Sequence, residues 1–272
     1  MLIDYPLKTG TGGMHRLDVL NRLYNPTSLS VISRFIQSPE QENAPFSVLV
    51  AGCGIGWMSK EMACRWSHCQ VLGIDRSHKQ IDIAQSLPVC ENLDFRCVSV
   101  HHLARENHQF HLIYLRWVVV YQENLVTFLE DLAACLAPGG VIIIEDNEPA
   151  SPGVAIQGSA QHSEVQAVAL WESVCRGVIR IIGQPEGLKD RLMGYFQTHG
   201  FNSELETVNQ QVLKTAEEKL LLFLGIRESS ESILKSGFSL PLLHRLLNGL
   251  YDLQQCESPI HFVRNYILCF RR

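Results

Sequence analysis

The chain contains no cluster of Lys and Arg, and its formal charge is −5 with a pI near 6.1. Binders of nucleic acid and of membrane surfaces rely on clustered positive charge, so composition points away from both and towards a small-molecule partner. No apolar stretch approaches the twenty or so residues that span a bilayer. The opening MLIDYPLKTGTGG lacks the basic segment and apolar core of a secretory leader. A cytoplasmic protein is the expectation. None of the nine cysteines forms a Cys-x-x-Cys pair, and without a leader they read as reduced thiols. Cys64 with Cys69, and Cys90 with Cys97, are poorly spaced for zinc, which leaves the reading of small buried apolar residues. His101-His102 with His108 and His111, and Glu145-Asp146 with Glu148, are likewise poor ligand sets, because adjacent loop histidines point apart; no metal is expected. Repeats and low-complexity segments are also missing.

What the chain does have is Phe46 to Asp75, FSVLVAGCGIGWMSKEMACRWSHCQVLGID. An apolar run ends in Gly52-Cys53-Gly54-Ile55-Gly56, an amphipathic segment follows, and a second apolar run ends in an acid. Closely spaced glycines between a strand and a helix let the backbone bend and let a ligand approach the main chain. Asp75 lies 23 positions past Gly52, near the spacing at which a βαβ unit presents a carboxylate to ribose hydroxyls. The two devices converge on a nucleoside.

The remaining pattern builds an α/β domain around that unit. Met14 to Gln37 has helical periodicity, with Asn25-Pro26 read as a break between two helices, and the proline-bracketed Ser38 to Pro45 reads as an exposed loop. Strands are expected at Phe46–Ala51, Gln70–Ile74, Leu93–Val98, Phe110–Leu115, Val141–Glu145, Phe201–Val212 and Phe262–Phe270. Helices are expected at Trp57–Trp66, Ser77–Ser86, Leu125–Leu136, Gln161–Ile182, Glu186–His199, Lys214–Leu224 and Glu231–Leu253. Asn147 to Ala160, rich in Gly, Pro, Ser and Ala, reads as a mobile loop. Alternation of short strands with helices predicts a Rossmann-like, seven-stranded, mostly parallel sheet covered on both faces, with N-terminal helices and a helical insertion before the last strand. The expected organisation is a helical cap over 1–45 and a domain over 46–272, its insertion at about 214–253, in one structural unit.

With these elements in order, the chain resembles the class I S-adenosylmethionine-dependent methyltransferases of the small-molecule type. The residues that carry the resemblance are VLVAGCGIGWMS at Val48 to Ser59, VLGIDRSHKQIDIAQ at Val71 to Gln85, FHLIYLRWVVVY at Phe110 to Tyr121 and LAPGGVIIIED at Leu136 to Asp146. A looser match is the Arg16-Leu17 pair of the N-terminal helix. A nicotinamide loop instead needs Gly-x-Gly-x-x-Gly around a pyrophosphate; here Gly56 comes one position early and Trp57 takes the place of the third glycine. A dinucleotide oxidoreductase is thus the lesser reading, and a catalytically silent cofactor-binding or scaffold protein of the same fold is the main alternative.

The resemblance implies S-adenosyl-L-methionine as cofactor and S-adenosyl-L-homocysteine as product. It implies that Gly52, Cys53 and Gly54 contact the methionine part through the main chain, that Asp75 accepts from the ribose hydroxyls, and that Arg76 lies beside the adenine. Where many members carry an acid after the third strand, this chain has Ser99, so the adenine falls to the Ser99 hydroxyl or the Val100 amide. Leu115 and Arg116 end the fourth strand near the methionine end. No catalytic residue stands out: methyl transfer asks mainly for positioning and water exclusion, and the candidate bases are His15, Tyr121, Asp146 and His162. The acceptor pocket is expected to be roofed by the segment around Tyr5 and His15, the 147–160 loop, the helix carrying Trp171, and the insertion, whose Leu220, Leu221, Phe223, Leu224, Leu242, Leu243, Leu246 and Leu247 suffice to pack on the domain and to support a homodimer.

Overall fold

The computed structural model describes residues 13–36, 46–88, 90–148, 153–158, 160–181 and 187–272; Tyr5 and the Ser38 to Pro45 loop lie outside them. Strands β1 (Phe46–Ala51), β2 (Cys69–Asp75), β3 (Leu93–Cys97), β4 (Phe110–Arg116), β5 (Leu136–Asn147), β6 (Ala155–Ile156), β7 (Asn202–Leu213) and β8 (Ile260–Arg271) form one sheet. Its order is β3-β2-β1-β4-β5-β8, with β7 along one side of β8 and β6 along the other. β3 through β5 run parallel, and β8 is antiparallel to its neighbours. The central strands read as unbroken apolar runs because both faces are covered: Val48, Leu49, Val50 and Ala51 are all buried.

The sheet has eight strands where the sequence pattern predicts seven. The extra one is the two-residue β6, which pairs Ala155 with His261 and Ile156 with Ile260 inside the stretch read as a mobile loop. A pairing this short leaves no periodicity in the sequence. β5 also begins earlier than expected: Leu136 pairs with Phe110, and the ladder resumes at Val141 with Leu112. Ala137-Pro138-Gly139-Gly140 therefore bulges out of a strand, with Gly139 at a φ of +73°.

The helices are α1 (Met14–Ile32), α2 (Trp57–Arg65), α3 (His78–Gln85), α4 (Val100–Arg105), α5 (Leu125–Ala134), α6 (His162–Ile181), α7 (Leu188–Thr198), α8 (Ala216–Glu228), α9 (Ser230–Lys235) and α10 (Leu240–Asp252). The expected break at Asn25-Pro26 is absent, since α1 runs through Pro26. A mid-helix proline costs about 3 kcal/mol. Buried Val19, Leu20, Tyr24, Leu29 and Ile32 on either side of it, each contributing about 1.5–3 kcal/mol, offset that cost.

Three large apolar cores result among the described residues, beside a small cluster of Ile81, Ala84 and Phe95 under α3. One lies between the sheet and α4, α5 and α7, around Leu103, Leu129, Leu192 and Phe196. A second packs the C-terminal half of α1 and α2 on the opposite face, through Leu29, Ile32, Met58 and Met62. A third joins the N-terminal half of α1 to α6, α8 and α10, through Leu20, Trp171, Leu222 and Leu246. The last is capped by sequence signals of the expected kind: Thr215 and Glu218 exchange hydrogen bonds at the start of α8, and Ser239 accepts from Leu242 N at the start of α10. Among the described residues no helix is long and apolar enough to cross a membrane.

Candidate functional site

The parallel strands end on a common edge, and the loops leaving them carry the residues singled out in the sequence. β1 runs into Gly52, Gly54 and Gly56, with φ of +70°, +56° and +83°, conformations open to glycine at little cost. A Cβ on Gly52 would stand 2.4 Å from Cγ2 of Val118, so space as well as backbone demands glycine there. Gly56 lies under Phe95, 2.6 Å from the position of a Cβ, and caps α2; its work is helix packing. Gly54 differs, because nothing lies within 4 Å of a Cβ placed on it. The loop is pinned by Cys53 N donating to Ile74 O at 2.8 Å and Gly56 N to Cys53 O at 3.0 Å. The half-buried Cys53 thiol is pushed up by burial and by the charge of Asp75.

Asp75 ends β2 against this loop. Its Oδ2 accepts from Gly54 N at 3.0 Å and its Oδ1 from Ser77 N at 2.9 Å. A carboxylate has about four lone-pair sites, so the group is fixed in direction by these amides and keeps acceptor capacity. Burial pushes its carboxyl up, opposed by the Ser77 and Gly54 amides and by the charge of Arg76. Arg76 is exposed, and its carbonyl accepts from the Cys97 thiol, which ties the ends of β2 and β3. Ser99 caps α4, its hydroxyl accepting from His102 N at 3.1 Å, and Val100 is buried beside it.

At the end of β4 the two expected residues part company. Leu115 points into the core under α5 and brings only its main chain to the edge. Arg116 turns to the opposite face. Val50 pairs with Tyr114, so Gly52 and Arg116 each stand two residues further along neighbouring strands. Arg116 Nη2 donates to Asn21 Oδ1 at 2.7 Å, and its guanidinium lies 4.9 Å from the centroid of the Trp117 ring. Its Nη1 is buried and has no hydrogen-bond partner among the described residues. Asn25, one turn beyond Asn21 on α1, donates Nδ2 to Glu61 at 2.6 Å and leaves its buried Oδ1 unpartnered. A cationic donor and a neutral acceptor thus stand unsatisfied near one strand end.

Trp117 takes a φ of +54°, an uncommon conformation for a bulky residue. It is held there by Trp117 N to Glu145 O at 3.0 Å, Nε1 to Asn265 Oδ1 at 3.1 Å, and an edge contact with Tyr24. Below it Glu145, fully buried, accepts from Ser28 Oγ (2.6 Å), Tyr114 OH (2.7 Å), Asn209 Nδ2 (2.8 Å) and Asn265 Nδ2 (3.4 Å). This network fastens α1 to four strands.

The candidate bases are dispersed. His15 is exposed at the start of α1, and His162 is exposed at the start of α6 beside Gln166. Tyr121 is half-buried at the end of the short 3-10 turn Val119–Tyr121. Asp146 is fully buried at the end of β5, where it accepts from Val120 N at 3.1 Å and Asn147 N at 3.0 Å. Burial pushes its carboxyl up to about 7 against those amides. It holds the turn that carries Val118 over Gly52. Among the described residues no group of three or more His, Cys, Asp or Glu is placed to hold a metal; His102 and His108 lie against Glu106, and His101 against Asp131.

Sequence reasoning missed Asn21, Asn25 and the role of Glu145. The i and i+4 spacing of Asn21 and Asn25, which puts both on one face of α1, was the available signal.

A 3-2-1-4-5 parallel sheet whose last strand inserts antiparallel beside the fifth, with a glycine loop after β1 and an acid ending β2, defines a class I methyltransferase fold. Residues 48–140 match the family model described as a methyltransferase domain. The chain is 29% identical over 130 residues to the ubiquinone biosynthesis O-methyltransferase of Sinorhizobium fredii, a match covering 44% of this chain and 52% of that protein; the chain spans about half the length of this curated relative. Among solved structures, the plantazolicin methyltransferase BpumL in complex with SAH superposes with a TM-score of 0.51 at 17% identity, over 94% of this chain and 86% of that one. The cyclopropane synthase MmaA2 of Mycobacterium tuberculosis gives 0.52 at 15% identity, over 85% and 80%. At these identities the structures show the shared fold.

Proposed function

We propose that this protein binds S-adenosyl-L-methionine at the edge formed by β1, β2 and β4 and transfers its methyl group to a small-molecule acceptor. The observation that carries the reading is Asp75: a half-buried carboxylate fixed in direction by main-chain amides, one of them in the glycine loop, at the end of the strand beside it. That is the acceptor a ribose diol needs. The unpartnered atoms fit the other end of the same ligand. Arg116 Nη1 suits a carboxylate and Asn25 Oδ1 an ammonium, the two groups of an amino-acid tail, while the main chain at Gly54 is open, with nothing within 4 Å of a Cβ placed there.

The cofactor supplies, when bound, an electrophilic methyl on a sulfonium. The chain's own residues then have a limited task. Gly52, Cys53 and Gly54 bring main chain to the ligand, Asp75 orients the ribose, and Arg76, Ser99 and Val100 border the adenine. Leu115 through its main chain and Arg116 through its guanidinium hold the amino-acid end. α1 and the α6, α8 and α10 layer exclude water from the acceptor side. Residues 1–45 as a cap on a 46–272 domain, a cytoplasmic location, a homodimer and the lack of a nucleic-acid partner belong to the same proposal, the last supported by the net charge of −5.

Calorimetric titration with S-adenosyl-L-homocysteine tests it. Asp75→Asn keeps the shape and removes the charge, and should weaken binding by roughly 10- to 100-fold, as expected for losing one or two charge-assisted hydrogen bonds. No heat from the native protein with either form of the cofactor would overturn the reading.

A further inference from the structure

Two thiols lie outside the site described above, apart from every group that would hold the cofactor. Cys64, exposed on the last turn of α2, and Cys90, half-buried on the approach to β3, place their sulfurs 3.2 Å apart. Neither is the buried apolar residue that the sequence suggested. A disulfide bond is about 2.05 Å long, so closing one requires the sulfurs to approach by about 1.2 Å. The pair is held together by its surroundings. Asn92 Nδ2 reaches across to Ala63 O (3.1 Å), Trp66 O (3.3 Å) and Cys69 O (2.8 Å), clasping the end of α2 to the segment that carries Cys90. Leu93 N donates to Cys90 O at 3.1 Å and fixes that segment in turn.

The local chemistry distinguishes the two sulfurs. The hydrogen bond with Cys64, then burial, pushes the Cys90 thiol up, while the charge of Lys60 pulls it the other way. Cys64 is the sulfur open to a bulky reagent, and Cys90 stands behind it. The seven other cysteines are separate from this pair, with Cys69, Cys135, Cys256 and Cys269 buried.

We infer that Cys64 and Cys90 form a surface dithiol that closes to a reversible disulfide by exchange with a low-molecular-weight disulfide. In the first step the Cys64 thiolate attacks the small disulfide, forming a mixed disulfide and expelling one small thiolate. In the second, the Cys90 sulfur attacks the Cys64 sulfur and expels the other small thiolate. Two cysteine protons pass to the two departing thiolates, the small disulfide is reduced, and the dithiol is oxidised. The bond ties the C-terminal end of α2, the helix that leaves the glycine loop, to the start of β3.

The test equilibrates the full chain with oxidised and reduced glutathione, quenches with iodoacetamide and maps the peptides by mass spectrometry. The expected product joins Cys64 to Cys90 with the loss of two hydrogen masses and two alkylatable thiols, and it reopens with excess reduced glutathione. Cys90→Ser should stop at a stable glutathione adduct on Cys64. Separate glutathione adducts on Cys64 and Cys90 in the native chain, or both thiols alkylated while Cys97 has been oxidised, would overturn the inference.

Discussion

The two halves of the sheet edge treat their acids in opposite ways. In the β1 to β3 half, Asp75 is half-buried, anchored by two amides and left with acceptor capacity. In the β4, β5 and β8 half, Glu145 and Asp146 are fully buried and bonded within the protein: Glu145 takes four side-chain donors, and Asp146 holds the turn after β4. The first half offers main chain and one acid to a ligand. The second uses its acids to fasten α1 and the 117–121 turn, and among the described residues the buried groups it leaves over are Arg116 Nη1, Asn25 Oδ1 and the Tyr266 hydroxyl. A carboxylate at a strand end is therefore no guide to function until its donors are counted.

Removing Glu145 should break this contrast most severely. Glu145→Ala strands the donors of Ser28, Tyr114, Asn209 and Asn265, and should cost about 3–5 kcal/mol of stability in denaturant unfolding. Asp75→Asn should cost far less in the same measurement, because its lost contacts are few and near solvent.

Asp146 comes next. Its folded carboxyl is raised to about 7 by burial, while the unfolded group titrates near 4. Between those values the folded state holds the extra proton, so stability falls as pH rises through the window, by at most about 4 kcal/mol. Asp146→Asn keeps an acceptor for Val120 N and cannot ionise. It should flatten the slope of unfolding free energy between about pH 4 and 7 and be more stable than the native chain above it. An unchanged slope would place the proton elsewhere.

Gly52→Ala meets both a left-handed backbone and Val118, and should destabilise by about 1–3 kcal/mol while weakening cofactor binding. Adding Val118→Ala relieves the contact but not the backbone, so partial rescue is expected. The finest test separates the ends of the ligand. Arg116→Met should weaken S-adenosyl-L-homocysteine by roughly 10-fold or more yet leave adenosine, which lacks the amino-acid tail, nearly unaffected. Equal losses for both would assign Arg116 to fastening α1 through Asn21 alone.

Sequence by itself determined the β1 to β3 half. Its signals are local: glycines that alone tolerate the left-handed turns, an apolar strand buried on both faces, and an acid one βα unit later. The parallel direction of β1 and β2 and the positions of Gly52, Gly54 and Asp75 follow from spacing along the thirty residues Phe46 to Asp75. Tertiary structure decided the other half, because its contacts join residues far apart in the chain. Packing on two cores carried α1 through Pro26, where local propensity called for a break. The pairing of Ile260 and His261 made β6 a strand although two residues carry no period. Asn21 met Arg116, Asn25 met Glu61, and Cys64 met Cys90, across separations for which no spacing rule exists. Whether a polar side chain is spent inside the protein or left for a ligand depends on which donors the folded chain brings within about 3 Å, and that is a property of the assembled sheet and its covering helices.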